Sequence, residues 1–179
     1  MAEVAQPRIW TGRAIFAGLA AVVIFVQLLP LQTMPDTWAG PDLLLAMTVV
    51  WVSRRPEQVP LLLIAALFLL TDMLFQRPPG LMAALVLLLT EFLRSRSQGF
   101  RSVAFGAEWA TVAVGIIAVT FANRLVMMLV MLPQTPLDLT VDQMVLTILA
   151  YPVVAAIAFA TFGIRRATPG EFTTFGGRS

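Results

Sequence analysis

Six apolar segments, separated by short polar connections, occupy most of this 179-residue chain. The hydrocarbon core of a bilayer is about 30 Å thick and takes about 20 residues of helix to cross. Backbone amides in lipid have no water to bond, so each segment is expected to be a helix. The pattern predicts an all-α polytopic integral membrane protein whose six transmembrane helices form a single bundle. The predicted helices cover residues 14–31, 41–53, 59–75, 80–93, 104–132 and 141–164.

The balance of residue types supports the same class. Hydrophobic residues make up 59% of the chain and charged residues 12%, whereas soluble domains have about 25% charged residues. So few charges cannot cover a surface that faces water, and lipid is therefore the expected solvent. The first apolar segment is too long for most signal peptides and lacks a small-residue cleavage site, so it is predicted to be retained.

The arginines alternate between connections in a way that predicts the orientation. Ten of the twelve fall on one side of a six-helix arrangement, while the opposite connections carry one arginine and four aspartates. Because cytoplasmic loops are enriched in Lys and Arg, both termini are predicted to be cytoplasmic. The ten arginines are Arg8, Arg13, Arg54, Arg55, Arg94, Arg96, Arg101, Arg165, Arg166 and Arg178.

Two segments are short for a membrane span. The apolar parts of 41–53 and 80–93 extend roughly 17–21 Å at ~1.5 Å per residue. A re-entrant second segment would carry Arg54 and Arg55 to the side opposite the other arginines. Short spanning helices, extended by polar end turns or lying in locally thinned lipid, are therefore predicted. The fifth segment, 104–132, exceeds the bilayer and is expected to tilt, kink or project.

Several common catalytic groups are missing. The chain has no Cys and no His, and all of its basic residues are Arg. Thiolate nucleophiles, the commonest general base and metal ligand, and the lysine of Schiff bases and phosphate-binding loops are thereby excluded. The carboxylates that remain form no catalytic constellation. We expect a protein that is not an enzyme, takes no cofactor or metal, and does not bind nucleic acid.

Two glutamates near the cytoplasmic ends of predicted helices have arginines nearby in the sequence. Glu91 and Glu108 flank the group formed by Arg94, Arg96 and Arg101. Long charged side chains reach the headgroups from a helix end. Both glutamates are therefore predicted to pair with these arginines at headgroup level.

Asp72 and Arg124 lie at similar predicted depths, towards the outer ends of helices three and five. A carboxylate inside the membrane needs a cation or a hydrogen-bond donor. Asp72 is predicted to face protein and to pair with Arg124, with Arg77 as the alternative partner. The alternative for Arg124 is a side chain that extends to the outer headgroups.

Helix five is predicted to have one face of small and partly polar residues, and Arg124 points to roughly the opposite side at ~100° per residue. Small residues let two helix backbones approach closely. Gly115 and Glu108 are therefore candidate structural or partner-contact residues, together with Asp72 and Arg124. The face comprises Glu108, Thr111, Gly115, Ala118 and Ala122. Other small pairs at four-residue spacing are Ala14/Gly18, Ala17/Ala21 and Ala156/Ala160.

Two stretches carry a recognisable pattern. Residues 41–57 read PDLLLAMTVVWVSRRPE, and residues 69–81 read LLTDMLFQRPPGL. The first resembles the second-helix region of the bacterial rod shape-determining protein MreD family. In that family an Asp near the end of one helix precedes a Pro- or Leu-Gly turn that opens the next, and Asp72 and Gly80 match this pattern.

The resemblance implies a non-enzymatic component of the bacterial inner membrane that acts in lateral cell-wall elongation. It implies MreC as the direct partner. The wider complex would contain the actin-like MreB, the glycosyltransferase RodA and a class B penicillin-binding protein. The resemblance also implies a fold similar to the six-helix substrate-binding subunits of energy-coupling-factor transporters.

That similarity of fold motivates an alternative function, a substrate-binding membrane subunit of a small-solute transporter. Such a subunit needs a polar pocket that faces the outer side, and Asp72, Asn123 and Arg124 are the residues expected to line it. A lipid-modifying enzyme is a weaker third hypothesis, because the carboxylates are scattered. A scaffold that binds a partner's transmembrane helix is favoured, because the loops are short and the small-residue faces suit helix packing.

Overall fold

The computed structural model describes residues 5–29, 39–100 and 105–162, apart from the side chains of 5–8, 97–100 and 162. Within these ranges the chain is helical and has no strand, which confirms the predicted all-α class. The ranges hold α1 Ala5–Leu28, α2 Leu43–Arg54, α3 Leu61–Leu74, α4 Leu81–Phe100, α5 Phe105–Leu129 and α6 Leu137–Phe162. A short 3₁₀ helix, Pro56–Gln58, connects α2 to α3. The ends predicted at residues 31 and 164 lie outside the described residues.

Among the described residues, three helical segments are long and apolar enough to cross a membrane: Ile9–Leu28, Phe105–Leu129 and Leu137–Thr161. They support the membrane-protein class expected from composition. α2 and α3 are also apolar but hold only 12 and 14 residues. At about 1.5 Å per residue these two helices extend roughly 18–21 Å.

α4 continues beyond the predicted range 80–93 and shows the extension by polar end turns. Its apolar segment ends at Leu93, but the helix continues to Phe100 and holds 20 residues. Glu, Arg and Gln are good helix formers. The change from apolar to polar side chains therefore marks the end of the apolar surface and not the end of the helix.

α2 is the central helix of the bundle, which explains why it can be short. Every residue from Leu44 to Ser53 is buried, and α1, α4 and α6 contact it. Non-helical backbone is tolerated at membrane depth where protein covers it, so the ends of α2 need not reach water. Asp42 caps its first turn, because Oδ1 accepts a hydrogen bond of 2.9 Å from the Leu45 N–H.

Successive helices run in alternate directions. The first half of α1 packs on the second half of α2, where the ring centroids of Phe16 and Trp51 are 5.8 Å apart. The start of α4 contacts the end of α3, where the N–H groups of Gly80 and Ala83 donate to Asp72. These neighbours bury one apolar core that draws side chains from all six helices.

The two ends of the bundle differ in charge. One end holds the N-terminal part of α1 and the C-terminal ends of α2 and α4, and we call it the basic end. The opposite end, which we call the distal end, holds the start of α2 and the α3–α4 and α5–α6 connections. The arginines at the basic end whose side chains are described are Arg13, Arg54, Arg55, Arg94 and Arg96. Arg101, Arg165, Arg166 and Arg178 lie outside the described residues.

Candidate functional site

A buried carboxylate joins three helices near the basic end. The side chain of Glu108, at the start of α5, is 1% exposed and accepts a hydrogen bond from the hydroxyl of Tyr151 in α6. Nε of Arg54, at the end of α2, lies 3.7 Å from the same carboxylate oxygen. Nη1 of Arg54 also donates to the carbonyl of Ala155 at 3.3 Å. Breaking a buried ion pair is strongly destabilising, so this cluster holds α2, α5 and α6 together.

The structure places Glu108 beside Arg54, which is not among its predicted partners. Its carboxylate is covered by protein, because α2 and α6 both pack against the start of α5. Among the predicted partners, Arg101 lies outside the described residues. The predicted pairing of Glu91 with a nearby arginine is confirmed, since its Oε2 lies 3.6 Å from Nε of Arg94.

Sequence reasoning does not identify Tyr151 or Arg54 as partners of Glu108. Tyr151 is the only tyrosine in the chain, and a buried tyrosine hydroxyl usually has a hydrogen-bond partner. A single tyrosine in an apolar segment is therefore the sequence feature that indicates a buried hydrogen bond at this position. Because α5 and α6 are antiparallel, the start of α5 lies at the same depth as the second half of α6.

A second contact between α5 and α6 compensates for a proline. Pro152 lies inside α6 and has no N–H to donate to the carbonyl of Ile148, four residues earlier. The indole Nε1 of Trp109 donates to that carbonyl at 3.0 Å. Two adjacent residues of α5, Glu108 and Trp109, therefore bond to α6 at its proline-disrupted turn.

Asp72 caps the start of α4. Its side chain is fully buried, and Oδ2 accepts hydrogen bonds from the N–H groups of Gly80 at 3.0 Å and Ala83 at 3.3 Å. Gly80 has a φ of +86°, a left-handed conformation that glycine adopts without a Cβ penalty. The carboxylate faces protein as predicted, and its negative charge also suits the N-terminus of a helix.

The predicted pair between Asp72 and Arg124 is wrong. Nη1 of Arg124 donates to the carbonyl of Thr135 at 2.9 Å and to the hydroxyl of Thr140 at 3.1 Å. Arg124 therefore links α5 to the following connection and to the first turn of α6. Asp72 bonds to the main chain instead, because the turn after α3 brings the start of α4 to its carboxylate.

Gly115 lies at a contact between two helices of this chain. It is buried, and a Cβ at this position would collide with the side chain of Leu89 in α4. The small-residue face of α5 is occupied by α4 at this point, so Gly115 has a structural role. A large residue at this position would disturb the bundle itself. A Gly115 variant that lost partner binding would therefore not show that Gly115 contacts the partner.

A polar cavity of about 170 Å³ lies among α2, α4, α5 and α6 at the distal end. Asn123 and Arg124 line it, as the transporter hypothesis expects, whereas Asp72 does not. An adjoining cavity of about 270 Å³ shares Asp42, Arg77 and Gln143. The polar side chains that line the first cavity are Asp42, Arg77, Thr120, Asn123, Arg124, Gln134, Thr135, Thr140, Gln143 and Thr147.

Asp42, which precedes the first residue of α2, supplies the carboxylate of this cavity. Its backbone N–H donates to the hydroxyl of Thr147 at 2.8 Å and so ties the start of α2 to α6. Burial raises the pKa of Asp42, and this effect exceeds the opposing effects of the Leu45 N–H and the Arg77 guanidinium.

Comparisons with known proteins do not assign the chain to a family. No protein-family model matches the sequence, and neither a curated protein nor a solved structure matches it significantly. What the chain does is therefore inferred from its residues, from their contacts, and from the resemblance of residues 41–57 and 69–81 to MreD.

Proposed function

We propose that this chain is a multi-pass protein of the cell inner membrane and a non-enzymatic scaffold of the cell-wall elongation complex. In this role it binds MreC, supports peptidoglycan synthesis and so controls cell shape. MreB, RodA and a class B penicillin-binding protein belong to the wider complex. Membrane lipid covers the apolar surface that no protein contacts.

The turn between α3 and α4 carries the proposal. The two residues that match the MreD pattern are bonded to each other, since Oδ2 of Asp72 accepts the Gly80 N–H at 3.0 Å. The Asp and the Gly therefore work as one unit that reverses the chain and caps the next helix. Apolar runs resemble one another easily by chance, whereas an Asp coupled to a positive-φ Gly is a more specific feature.

The arginine distribution supports a cytoplasmic basic end in this proposal. Every described arginine except Arg77 and Arg124 lies at that end, and the positive-inside rule assigns such an end to the cytoplasm. Both termini then face the cytoplasm in a six-span arrangement, and the polar cavity opens towards the outer side.

Reporter fusions test this orientation. Fusions within the α3–α4 and α5–α6 connections, at Gln76 and Thr135, should read as external. Fusions at Glu57 and Ser179 should read as cytoplasmic. An external signal at Glu57 would contradict the arrangement and favour a re-entrant α2.

The surface proposed for MreC lies within the membrane, because the fully described connections, 55–60, 75–80 and 130–136, hold only six or seven residues each. Ala14 and Gly18 of α1 are both exposed, and α6 exposes Ala156 and Ala160 at the same four-residue spacing. Small residues at this spacing let a second helix approach closely. These faces therefore suit the transmembrane helix of a partner better than they suit a polar solute.

Depletion of the protein in its own cells tests the proposed role. We expect the cells to round up or lyse while the uptake of small solutes stays unchanged. Cells that keep their shape after depletion, measured over several divisions, would overturn the scaffold function.

The distal cavity favours a second candidate function, the substrate-binding membrane subunit of a small-solute transporter. Its polar lining meets one requirement of that function. Its volume is about 170 Å³ and that of the adjoining cavity about 270 Å³, whereas pockets that enclose drug-sized ligands hold roughly 300–1,000 Å³. Tight binding of a vitamin-like solute by the purified protein, together with association with an ATPase module, would replace the scaffold function with the transporter function.

A further inference from the structure

The distal cavity holds an excess of positive charge that the scaffold function does not use. Arg77 and Arg124 both line it, against the single carboxylate of Asp42, which leaves a net charge of +1 among the lining residues. Arginine within a membrane-spanning segment is costly and commonly marks a functional site. Arg124, which lies within α5, therefore needs an explanation beyond packing, and Arg77 adds a second cation from the α3–α4 connection.

Arg124 is held in place through part of its guanidinium. Nη1 donates to the carbonyl of Thr135 at 2.9 Å and to the hydroxyl of Thr140 at 3.1 Å. Nε and Nη2 donate to no group in the part of the chain that the structure describes. A guanidinium fixed in this way keeps donors for a ligand, and its planar fork matches the oxygens of a phosphate group.

Arg77 supplies the second cation. Its backbone N–H donates to the carbonyl of Asp72 at 2.9 Å, so the main chain is fixed by the α3–α4 turn. Its guanidinium lies 5.5 Å from the centre of the Phe75 ring and makes no hydrogen bond or ion pair with the described residues. This side chain is exposed and remains available to a ligand at the cavity.

We propose that the distal cavity binds a phosphate group, with Arg77 and Arg124 as its cationic ligands. The amide of Asn123 in α5 donates one N–H to Sδ of Met127 and has a second N–H for the ligand. A volume of about 170 Å³ suits the phosphate of a lipid headgroup or a small phosphate ester, and is below the roughly 300 Å³ that drug-sized ligands require. Binding at this site is independent of whether MreC is the protein partner.

Ligand-induced stabilisation of the purified full-length protein tests the site. The probes are inorganic phosphate, short-chain phosphatidylglycerol and short-chain phosphatidylcholine, each titrated into protein held in a neutral detergent at constant ionic strength. A ligand that binds the folded state raises Tm further as its concentration exceeds Kd. We expect phosphatidylglycerol to raise Tm and phosphatidylcholine to have a much weaker effect, because only the former carries a net negative charge.

Substitutions of charged residues test whether the cavity arginines are responsible for the binding of phosphate. Arg77→Gln should weaken the affinity for phosphatidylglycerol about tenfold, the loss of one charge-assisted contact. Arg96→Gln is the matched control, since Arg96 also lies over a phenylalanine ring, 5.1 Å from the centre of Phe92, but at the basic end. Asp42→Asn keeps an oxygen to cap α2 and removes the carboxylate charge, so it should strengthen binding.

The probes also distinguish the two sources of phosphate. Stabilisation by phosphatidylglycerol but not by inorganic phosphate assigns the site to a lipid headgroup. Stabilisation by inorganic phosphate assigns it to a phosphate group that need not be attached to lipid. The proposal would be overturned if no probe raises Tm, or if phosphatidylglycerol and phosphatidylcholine act equally while inorganic phosphate has no effect. Equal affinities of the Arg77→Gln and Arg96→Gln variants would overturn it as well.

Discussion

The indole Nε1 of Trp109 donates a hydrogen bond of 3.0 Å to the carbonyl of Ile148, the carbonyl that Pro152 leaves without its usual helical partner. Proline inside a helix removes one hydrogen bond and clashes with the preceding turn. Water is absent from the hydrocarbon region, so a neighbouring helix has to supply the missing donor. The position of Pro152 in α6 is therefore linked to the presence of Trp109 in α5.

A double-mutant cycle tests this link. Trp109→Phe should lower the free energy of unfolding by about 1 kcal/mol, the scale of a hydrogen bond between membrane helices. In a Pro152→Ala background the same change should cost less, because an alanine at that position can donate its own N–H to the carbonyl of Ile148. Unfolding in mixed micelles measures all four proteins. Trp10→Phe, which alters an exposed tryptophan of α1, is the control, and equal losses in both backgrounds would show that the contact does not compensate for the proline.

Arg54 and Glu108 should be energetically coupled. Arg54→Gln removes a cation from a buried carboxylate and should destabilise the protein by about 3 kcal/mol or more. The double variant Arg54→Gln/Glu108→Gln should lose less than the sum of the two single losses, because no buried charge is left behind. Arg55→Gln is the matched control, since Arg55 pairs with the exposed Glu57 at 3.7 Å, and it should cost less than about 1 kcal/mol. Strictly additive losses at Arg54 and Glu108 would contradict this account.

Asp72 should act through its helix cap and not through an arginine. Asp72→Ala leaves the N–H groups of Gly80 and Ala83 without their acceptor and should cost about 1–2 kcal/mol. Asp72→Asn keeps a side-chain oxygen and should cost less. The charge-swapped protein, Asp72→Arg with Arg124→Asp, should be no more stable than the worse of its two single variants. Partial rescue in thermal unfolding would show that the two side chains do interact.

The all-α class follows from the sequence because apolar segments of helical length are a strong signal. The extent of α4 does not follow from the sequence in the same way. Its last turns are polar, and a hydropathy profile does not detect a helix that continues beyond its apolar segment. Hydropathy also favours thinned lipid around the short α2, whereas the structure surrounds this helix with protein from Leu44 to Ser53. The reason is that hydropathy measures the transfer of a side chain out of water and does not separate lipid from a protein interior.

The partners of the charged residues are harder to predict than the helices. Tyr151 and Glu108 are 43 residues apart in the chain, and their contact depends on the relative depth of two antiparallel helices. Asp72 and Gly80 are close in sequence, but their bond depends on the shape of one turn. Estimated depths contain no information on turn geometry. Pairing charges by depth alone therefore selects Arg124 as the partner of Asp72 and misses the bond to Gly80.

The capture of MreC by this protein from detergent-solubilised native membranes tests the central claim most directly. We expect wild type to retain MreC and Gly18→Leu to retain about tenfold less, the effect of losing about 1.4 kcal/mol of helix packing. Apart from its chain neighbours and the adjacent backbone of α1, a Cβ added at Gly18 meets no atom within 4 Å, so the bundle itself should be unchanged. Gly106→Leu, at an equally open and exposed position of α5, is the matched control and should retain MreC fully. If wild type captures no more MreC than an unrelated polytopic membrane protein does, the scaffold function is contradicted.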